Sequence, residues 1–281
     1  MKTSYEESGF QLFRGAWPRE EIGALGDMAY DLLTPYRGKI LRQNGQLEFN
    51  QFLPQDGYQH WGTDHGSYTV LISNPILNGH ISLPEGLEPL SQGLRRLITS
   101  PALFERLHGL DGAKHYTVHQ TILFIASQTT GMHLDSWSVD TAPHGFSHTV
   151  WIPLQDMTQE SGVPCVVPWP RDKVVTEAEL GLSSDLSFGE RYDRYQTALA
   201  KRIADSSPII VTSFMRQGDF MAWSSLTPHC TLPSRPRYAR RVSLQLLLRP
   251  SHMRWGNFAT QPAELTPDRA EKVSDRFSFI V

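Results

Sequence analysis

Apolar positions recur at helical spacing through Ile22, Leu25, Met28, Ala29 and Leu32, and Pro18 stands just ahead of them. A proline in the first turn followed by one apolar stripe predicts an amphipathic helix reaching Leu33. Before it, Phe10 and Leu12 alternate with their neighbours as in a short strand. The same helical period predicts helices over 88–99 and 101–107. Residues 38–80 read as loop-rich and aromatic, with Tyr58, His60, Trp61, His65 and Tyr68. From Lys114 the period changes to that of strands. The runs 115–125, 149–154, 165–168, 209–212, 219–223 and 242–249 are rich in β-branched and aromatic residues and are punctuated by Gly and Pro. Such a series predicts a mainly β architecture with flanking helices, closed as a sandwich or barrel. Residues 172–205 interrupt it with helical character at 177–180 and 192–203. Tyr192, Tyr195, Leu199 and Ile203 share one face, which needs a surface to rest on. Two readings stay open for this insert: a mobile cover hinged at Gly181 and Gly189, or a fixed helix beside the barrel.

Composition narrows the class. The chain has 281 residues, with 40% hydrophobic and 20% charged, as in an ordinary globular protein with ample core. A formal charge of -3 and the lack of a long basic block argue against nucleic-acid binding. No apolar run approaches a membrane span. The polar, acidic start Met1-Lys2-Thr3-Ser4-Tyr5-Glu6-Glu7 does not read as a signal peptide, so a cytoplasmic location is expected. Two cysteines, Cys165 and Cys230, supply neither a disulfide framework nor a zinc site.

The chemistry lies in His133-Leu134-Asp135 and in the distant His229. Residues i and i+2 of a strand point the same way, so His133 and Asp135 can ligate one ion, and Gly131 lets the chain approach closely. His229 completes two imidazoles and one carboxylate, the set with which non-haem Fe(II) keeps positions open for a co-substrate and dioxygen. With 11 histidines in the chain a His-x-Asp arises easily by chance, so context decides. His60, His65, His115, His119, His144, His148 and His252 read as structural or solvated. The context that favours His229 is the basic pair Arg240-Arg241 just beyond it, a planar fork for a carboxylate. Adjacent residues of a strand face opposite ways. Arg241 shares its side with Ser243, a hydroxyl donor, whereas Arg240 shares its side with Val242, Leu244 and Leu246.

These residues resemble the phytanoyl-CoA hydroxylase family of Fe(II)/2-oxoglutarate dioxygenases, ectoine hydroxylase among its members, from about residue 5 to about residue 250. The resemblance rests on Glu7 to Gly15, on Val118-His119-Gln120, and on His133-Leu134-Asp135-Ser136-Trp137. It continues in Trp151 to Pro164, Gln217-Gly218-Asp219-Phe220 and His229-Cys230-Thr231. It implies a double-stranded β-helix, the jelly-roll or cupin-like barrel, in a single domain. That domain would have an N-terminal support (1–113), a core (114–250) with an insert at 172–205, and a C-terminal extension (251–281). It implies iron on His133, Asp135 and His229, which form the catalytic centre. It implies 2-oxoglutarate on Arg241 or Arg240 with Gln120, Thr231 and Ser243, and dioxygen as oxidant. The chain departs from the family where Trp169 follows Val167-Pro168 and where Cys230 replaces a glycine after the second histidine. The family's arginine spacing selects Arg240, whereas the face argument selects Arg241. Asp135 is present, and halogenating relatives lack that carboxylate. The expected reaction is hydroxylation of an unactivated C–H bond in a small or medium metabolite, with Trp137, Trp151 and Trp223 as candidate walls of the substrate pocket. Desaturation, epoxidation or ring chemistry fits the same centre, a non-enzymatic jelly-roll binder and a cupin without 2-oxoglutarate are the rival classes, and the oligomeric state stays open.

Overall fold

The structure is a computed structural model that describes residues 4–33, 41–44, 51–52, 69–73, 86–126, 130–137, 139–182, 185–206, 208–235, 240–256 and 270–280. The aromatic residues expected in a loop from Tyr58 to Tyr68 lie outside the described residues. The segment 38–80 is not loop alone, because three strands cross it. In chain order the elements are α1 (Ser4–Ser8), β1 (Phe10–Phe13), α2 (Arg19–Leu33), β2 (Leu41–Asn44), β3 (Gln51–Phe52), β4 (Thr69–Ser73), α3 (Glu88–Ile98) and α4 (Pro101–Asp111). Then come β5 (Tyr116–Ala126), β6 (Thr130–His133), β7 (Asp140–Ala142), β8 (His148–Pro153), β9 (Pro164–Val166) and α5 (Phe188–Asp205). The chain ends with β10 (Val211–Thr212), β11 (Phe220–Ser224), β12 (His229–Thr231), β13 (Arg240–Pro250), β14 (Arg254–Gly256), β15 (Ala270–Lys272) and β16 (Phe277–Ile280).

Two sheets carry the jelly roll. The larger has the order β1-β11-β8-β13-β5-β4-β2-β3, with β16 added in parallel to β5 and β15 beside it. The smaller has the order β10-β9-β12-β6, and β14 pairs with β7 in a third, two-stranded sheet. All the long pairings of the larger sheet are antiparallel, so each strand presents alternate residues to its two faces. On β13 the positions Val242, Leu244, Leu246 and Leu248 enter a core shared with Ile22, Leu25 and Ala29 of α2, Leu90 and Leu94 of α3, and Leu103 and Leu107 of α4. The three N-terminal helices therefore cover the outer face of the larger sheet. The opposite residues, Arg241, Ser243, Gln245 and Leu247, face the smaller sheet, and that interior is where the polar chemistry collects.

Buried polar contacts fix the layers. Tyr5 and Asp111 grip the two nitrogens of His148, at 2.7 Å each, which ties α1 and the end of α4 to β8. α2 approaches β8 through Gly26, where an added Cβ would stand 2.1 Å from the carbonyl oxygen of Leu154. Glycine is needed there for space.

The insert contains a short 3-10 turn (Ala178–Leu180) and α5, which opens on a reciprocal capping box between Ser187 and Glu190. Tyr195, Leu199 and Ile203 are buried with Leu134, Trp137, Val167, Trp169 and Val175. A helix whose apolar face is already buried in this way is supported as a fixed wall.

Two outcomes follow from this packing. Gly26→Ala should destabilise the protein, although helix propensity alone predicts a gain of about 0.8–1 kcal/mol. Chemical denaturation that shows the gain would contradict the close approach to Leu154. In hydrogen exchange, the amides of 192–203 should be protected to the same extent with and without bound co-substrate, and strong ligand-dependent protection would restore the mobile cover.

Candidate metal centre

β12 is the middle strand that joins β9 to β6, and in its register His229 stands directly opposite His133. Their ring centroids are 4.1 Å apart. β6 ends at His133, so the i, i+2 argument for one strand needs correction. After His133 the chain drops Leu134 into the α5 cluster and turns through a 3-10 turn (Asp135–Trp137). The amide of Ser136 bonds to Ser225 O at 3.1 Å and the amide of Val139 bonds to Asp135 O at 2.8 Å. That turn, and not strand alternation, brings the Asp135 carboxylate back beneath the two imidazoles.

Each of the three side chains is held by one atom and offers another. Nδ1 of His133 bonds to Gly131 O at 2.8 Å, and Nδ1 of His229 bonds to Thr227 O at 2.9 Å. A carbonyl only accepts, so both protons sit on Nδ1 and both Nε2 lone pairs are free. Oδ2 of Asp135 accepts from the Thr149 hydroxyl and from Trp223 Nε1, the latter at 3.2 Å. Its Oδ1 lies 3.8 Å from His133 Nε2 and 3.5 Å from His229 Nε2. Burial and the adjacent His229 push His133 down to about 4, so it is neutral at neutral pH, as ligation requires. Adjacent ligand atoms on an octahedral ion with bonds of about 2.1 Å stand roughly 3.0 Å apart, and the three donors need only a small inward movement. Among the described residues this is the group of three whose donor atoms gather within 4.8 Å.

The arginine pair is separated by burial. Arg240 is exposed, pairs with Asp27 of α2 and stacks 4.4 Å over Tyr30. Arg241 is 1% exposed and lies between Phe124, at 5.1 Å, and Trp151, at 5.9 Å. Its Nη1 donates to Gly162 O, while its Nε and the buried Ser243 Oγ have no partner. Burial pushes the guanidinium down to about 9. Trp151 connects this end to the metal ligands, since it packs with Val166, Met221 and Trp223. Gln120, half-buried, stands opposite Leu247, and half-buried Thr231 lies two residues beyond His229 on the same side of β12.

The three tryptophans do different work from open pocket walls. Trp137, Trp151 and Trp223 are 1%, 3% and 1% exposed. Trp223 orients Asp135, Trp151 packs beneath Arg241, and Trp137 packs on Tyr195 of α5 with centroids 4.6 Å apart. Three residues were not singled out by sequence. Thr149 anchors Asp135 through a hydroxyl that sits in an apolar strand. Tyr192 of α5 packs on Trp137, with ring centroids 5.7 Å apart, and burial together with the Asp135 charge pushes its phenol up to about 12. His119, read as structural or solvated, is the extra residue of a β-bulge between the partners of Leu247 and Leu248. It is buried against Trp255, with ring centroids 4.0 Å apart, and neither ring nitrogen has a partner. Burial and nearby Arg249 hold it well below the usual histidine range. A bulge leaves no mark in apolar spacing, so nothing in the sequence separated His119 from the other histidines.

The sequence profile of the phytanoyl-CoA dioxygenase family matches residues 5–242. The chain belongs to the phytanoyl-CoA dioxygenase family. Members are non-haem iron enzymes that use Fe(II), 2-oxoglutarate and dioxygen. Among solved structures, the fold is similar to that of the epimerase SnoN in complex with Fe3+, alpha ketoglutarate and nogalamycin RO. The TM-score is 0.60 at 16% identity, over 99% of this chain and 93% of that one. It is also similar to the carbocyclase SnoK from nogalamycin biosynthesis, with a TM-score of 0.59 at 16% identity over 94% and 89% of the two chains. EctD from S. alaskensis with bound Fe gives 0.56 at 15% identity over 99% and 86%. A search of curated proteins found no match.

The anchoring of each ligand gives a direct test. His133→Ala should abolish Co(II) binding, followed by its visible absorbance under anaerobic conditions. Thr149→Val keeps all three ligands, yet it should weaken binding by about 10–100-fold, the usual cost of losing a group that orients a ligand. Unchanged affinity in Thr149→Val would show that its hydrogen bond to Asp135 does not position the ligand.

Proposed function

We propose that this phytanoyl-CoA dioxygenase family member hydroxylates an unactivated C–H bond of a small or medium metabolite in the cytoplasm, with release of succinate and CO2. The observation that carries the reading is the pairing of one three-donor centre with a buried cation left partly unpartnered on the same interior. His133, Asp135 and His229 would hold Fe(II). Arg241 and Ser243 would receive the distal carboxylate of 2-oxoglutarate, with Gln120 and Thr231 beside it. Iron with 2-oxoglutarate supplies the activation of dioxygen.

The chain's own residues do the remaining work. Thr149 and Trp223 keep one oxygen of Asp135 turned toward the two imidazoles. Leu134, Trp137 and Tyr195 close the α5 side to water, which keeps charge interactions strong within the site. Tyr192 offers a hydroxyl that stays protonated. Asp135 argues against halogenation. A second reading, epimerisation or ring closure by the same centre, draws support from the SnoN and SnoK folds. Among the described residues no helix is long and apolar enough to cross a membrane.

The arginines decide the co-substrate site. Arg241→Leu should weaken 2-oxoglutarate binding by about 2–5 kcal/mol, while Arg240→Leu should leave it nearly unchanged. Anaerobic titration of the Fe(II)-loaded protein, followed by its weak visible charge-transfer band, reads both. Equal binding by wild type and Arg241→Leu would remove the dicarboxylate site from Arg241. A metabolite screen for accelerated succinate release, with product analysis by mass spectrometry, then separates oxygen insertion from epimerisation and ring closure.

A further inference from the structure

The two cysteines, which have no role in the centre described above, meet across the smaller sheet. Cys165 of β9 is the direct register partner of Cys230 of β12, between the pairs His229 with Val166 and Thr231 with Pro164. Cys165 is fully buried, Cys230 is half-buried, and both are free thiols. The facing Cys230 sulfur and burial hold the Cys165 thiol up, and the facing Cys165 holds Cys230 down. Directly opposed residues of antiparallel strands have Cα atoms about 4.5–5.5 Å apart, within the roughly 4.4–6.8 Å that a disulfide spans. The side chains alternate with His229, so the pair lies on the opposite face of the same strand, one residue from a metal ligand.

We propose that Cys165 and Cys230 are a thiol-oxidation site that closes reversibly to a cross-strand disulfide and thereby sets the metal affinity of His229. The oxidant is a low-molecular-weight disulfide such as oxidised glutathione. The sulfur of Cys230, the accessible member, attacks it, forms a mixed disulfide and expels one glutathione thiol. The sulfur of Cys165 then attacks Cys230, closes the protein disulfide and expels the second thiol. Two cysteine thiols are oxidised, one glutathione disulfide is reduced, and the two S–H protons leave on the two glutathione thiols. The new bond fixes the separation of β9 and β12 at Cys230 and constrains the backbone of His229, the preceding residue of β12. The link to metal affinity rests on the metal-centre reading, whereas disulfide formation does not.

The test begins with the metal-free full chain in glutathione buffers of increasing oxidised fraction. Intact mass should fall by two hydrogens, peptide mapping should join the segments bearing Cys165 and Cys230, and dithiothreitol should reverse both. Cys165→Ser should instead accumulate one glutathione on Cys230, and Cys230→Ser should stay unmodified. A chain that remains fully reduced, or that cross-links only between molecules, would overturn the site. Co(II) titration of the oxidised and reduced forms then reads the coupling, with affinity expected to be about tenfold lower in the oxidised form. Equal affinities would overturn the coupling while leaving the disulfide standing, and failure of Co(II) to bind the reduced form would fault the metal centre instead.

Discussion

The antiparallel pairing of β6 with β12 is the constraint on which the site depends. It sets His133 opposite His229, two residues from distant parts of the chain, and fixes their separation by backbone geometry. The third ligand is then placed by a turn that only works because β6 stops. Leu134 is drawn outward into the α5 cluster, the amide of Ser136 finds Ser225, and Asp135 is left facing in. The carboxylate would rotate freely without Thr149 and Trp223, which come from the other sheet. The candidate centre is therefore a joint between the two sheets of the jelly roll: the smaller sheet and its turn supply the three donor groups, and the larger one orients the carboxylate.

The same joint explains how one long strand serves both stability and chemistry. β13 spends its even positions on the core under the N-terminal helices and its odd positions on the interior. Burying the even leucines and valine against α2, α3 and α4 yields on the order of 1.5–3 kcal/mol each. That support lets the odd positions hold polar groups, Arg241 and Ser243, at buried sites. Arg240, at the strand's exposed start, is satisfied by Asp27 and Tyr30 and so acts as a link to α2.

Much of this was legible in the residues. The helices at α2, α3 and α4 show clear periods, because each has one face in a core, and the strands β5, β8, β11 and β13 stand out as β-rich runs. The three residues of the candidate metal centre were legible as residue types, and the two-face argument on β13 anticipated that Arg240 and Arg241 sit in different surroundings, one exposed and one buried. His133 was read on a strand, but the short strands β6 and β12 carry no period that marks their ends, so the stop of β6 at His133 was not legible. The strands β2, β3 and β4 fall in a segment read as loop-rich, because each is too short to show a period of its own. The anchoring role of Thr149 and the bulge at His119 depend on which residue lies opposite, and register between distant strands is not written in local spacing. The facing of Cys165 and Cys230 was hidden for the same reason.

Burial of Arg241 is the step on which the proposed co-substrate site rests. A guanidinium taken out of water loses several kcal/mol of hydration, and one bond to Gly162 O returns only part of it. Stacking between Phe124 and Trp151 adds on the order of 0.5–2 kcal/mol, still short of an ion pair. A chain under no other demand would place leucine there, as it does at Leu244 and Leu246 on the other face of the strand. The unsatisfied Nε, with the unsatisfied hydroxyl of Ser243 on the same face, is complementary to a carboxylate brought in by a ligand. Binding that anion would remove the deficit, so the dicarboxylate would stabilise the fold as it completes the site. Stability and co-substrate affinity are then linked through one residue, and a protein heated with 2-oxoglutarate should owe part of its protection to Arg241.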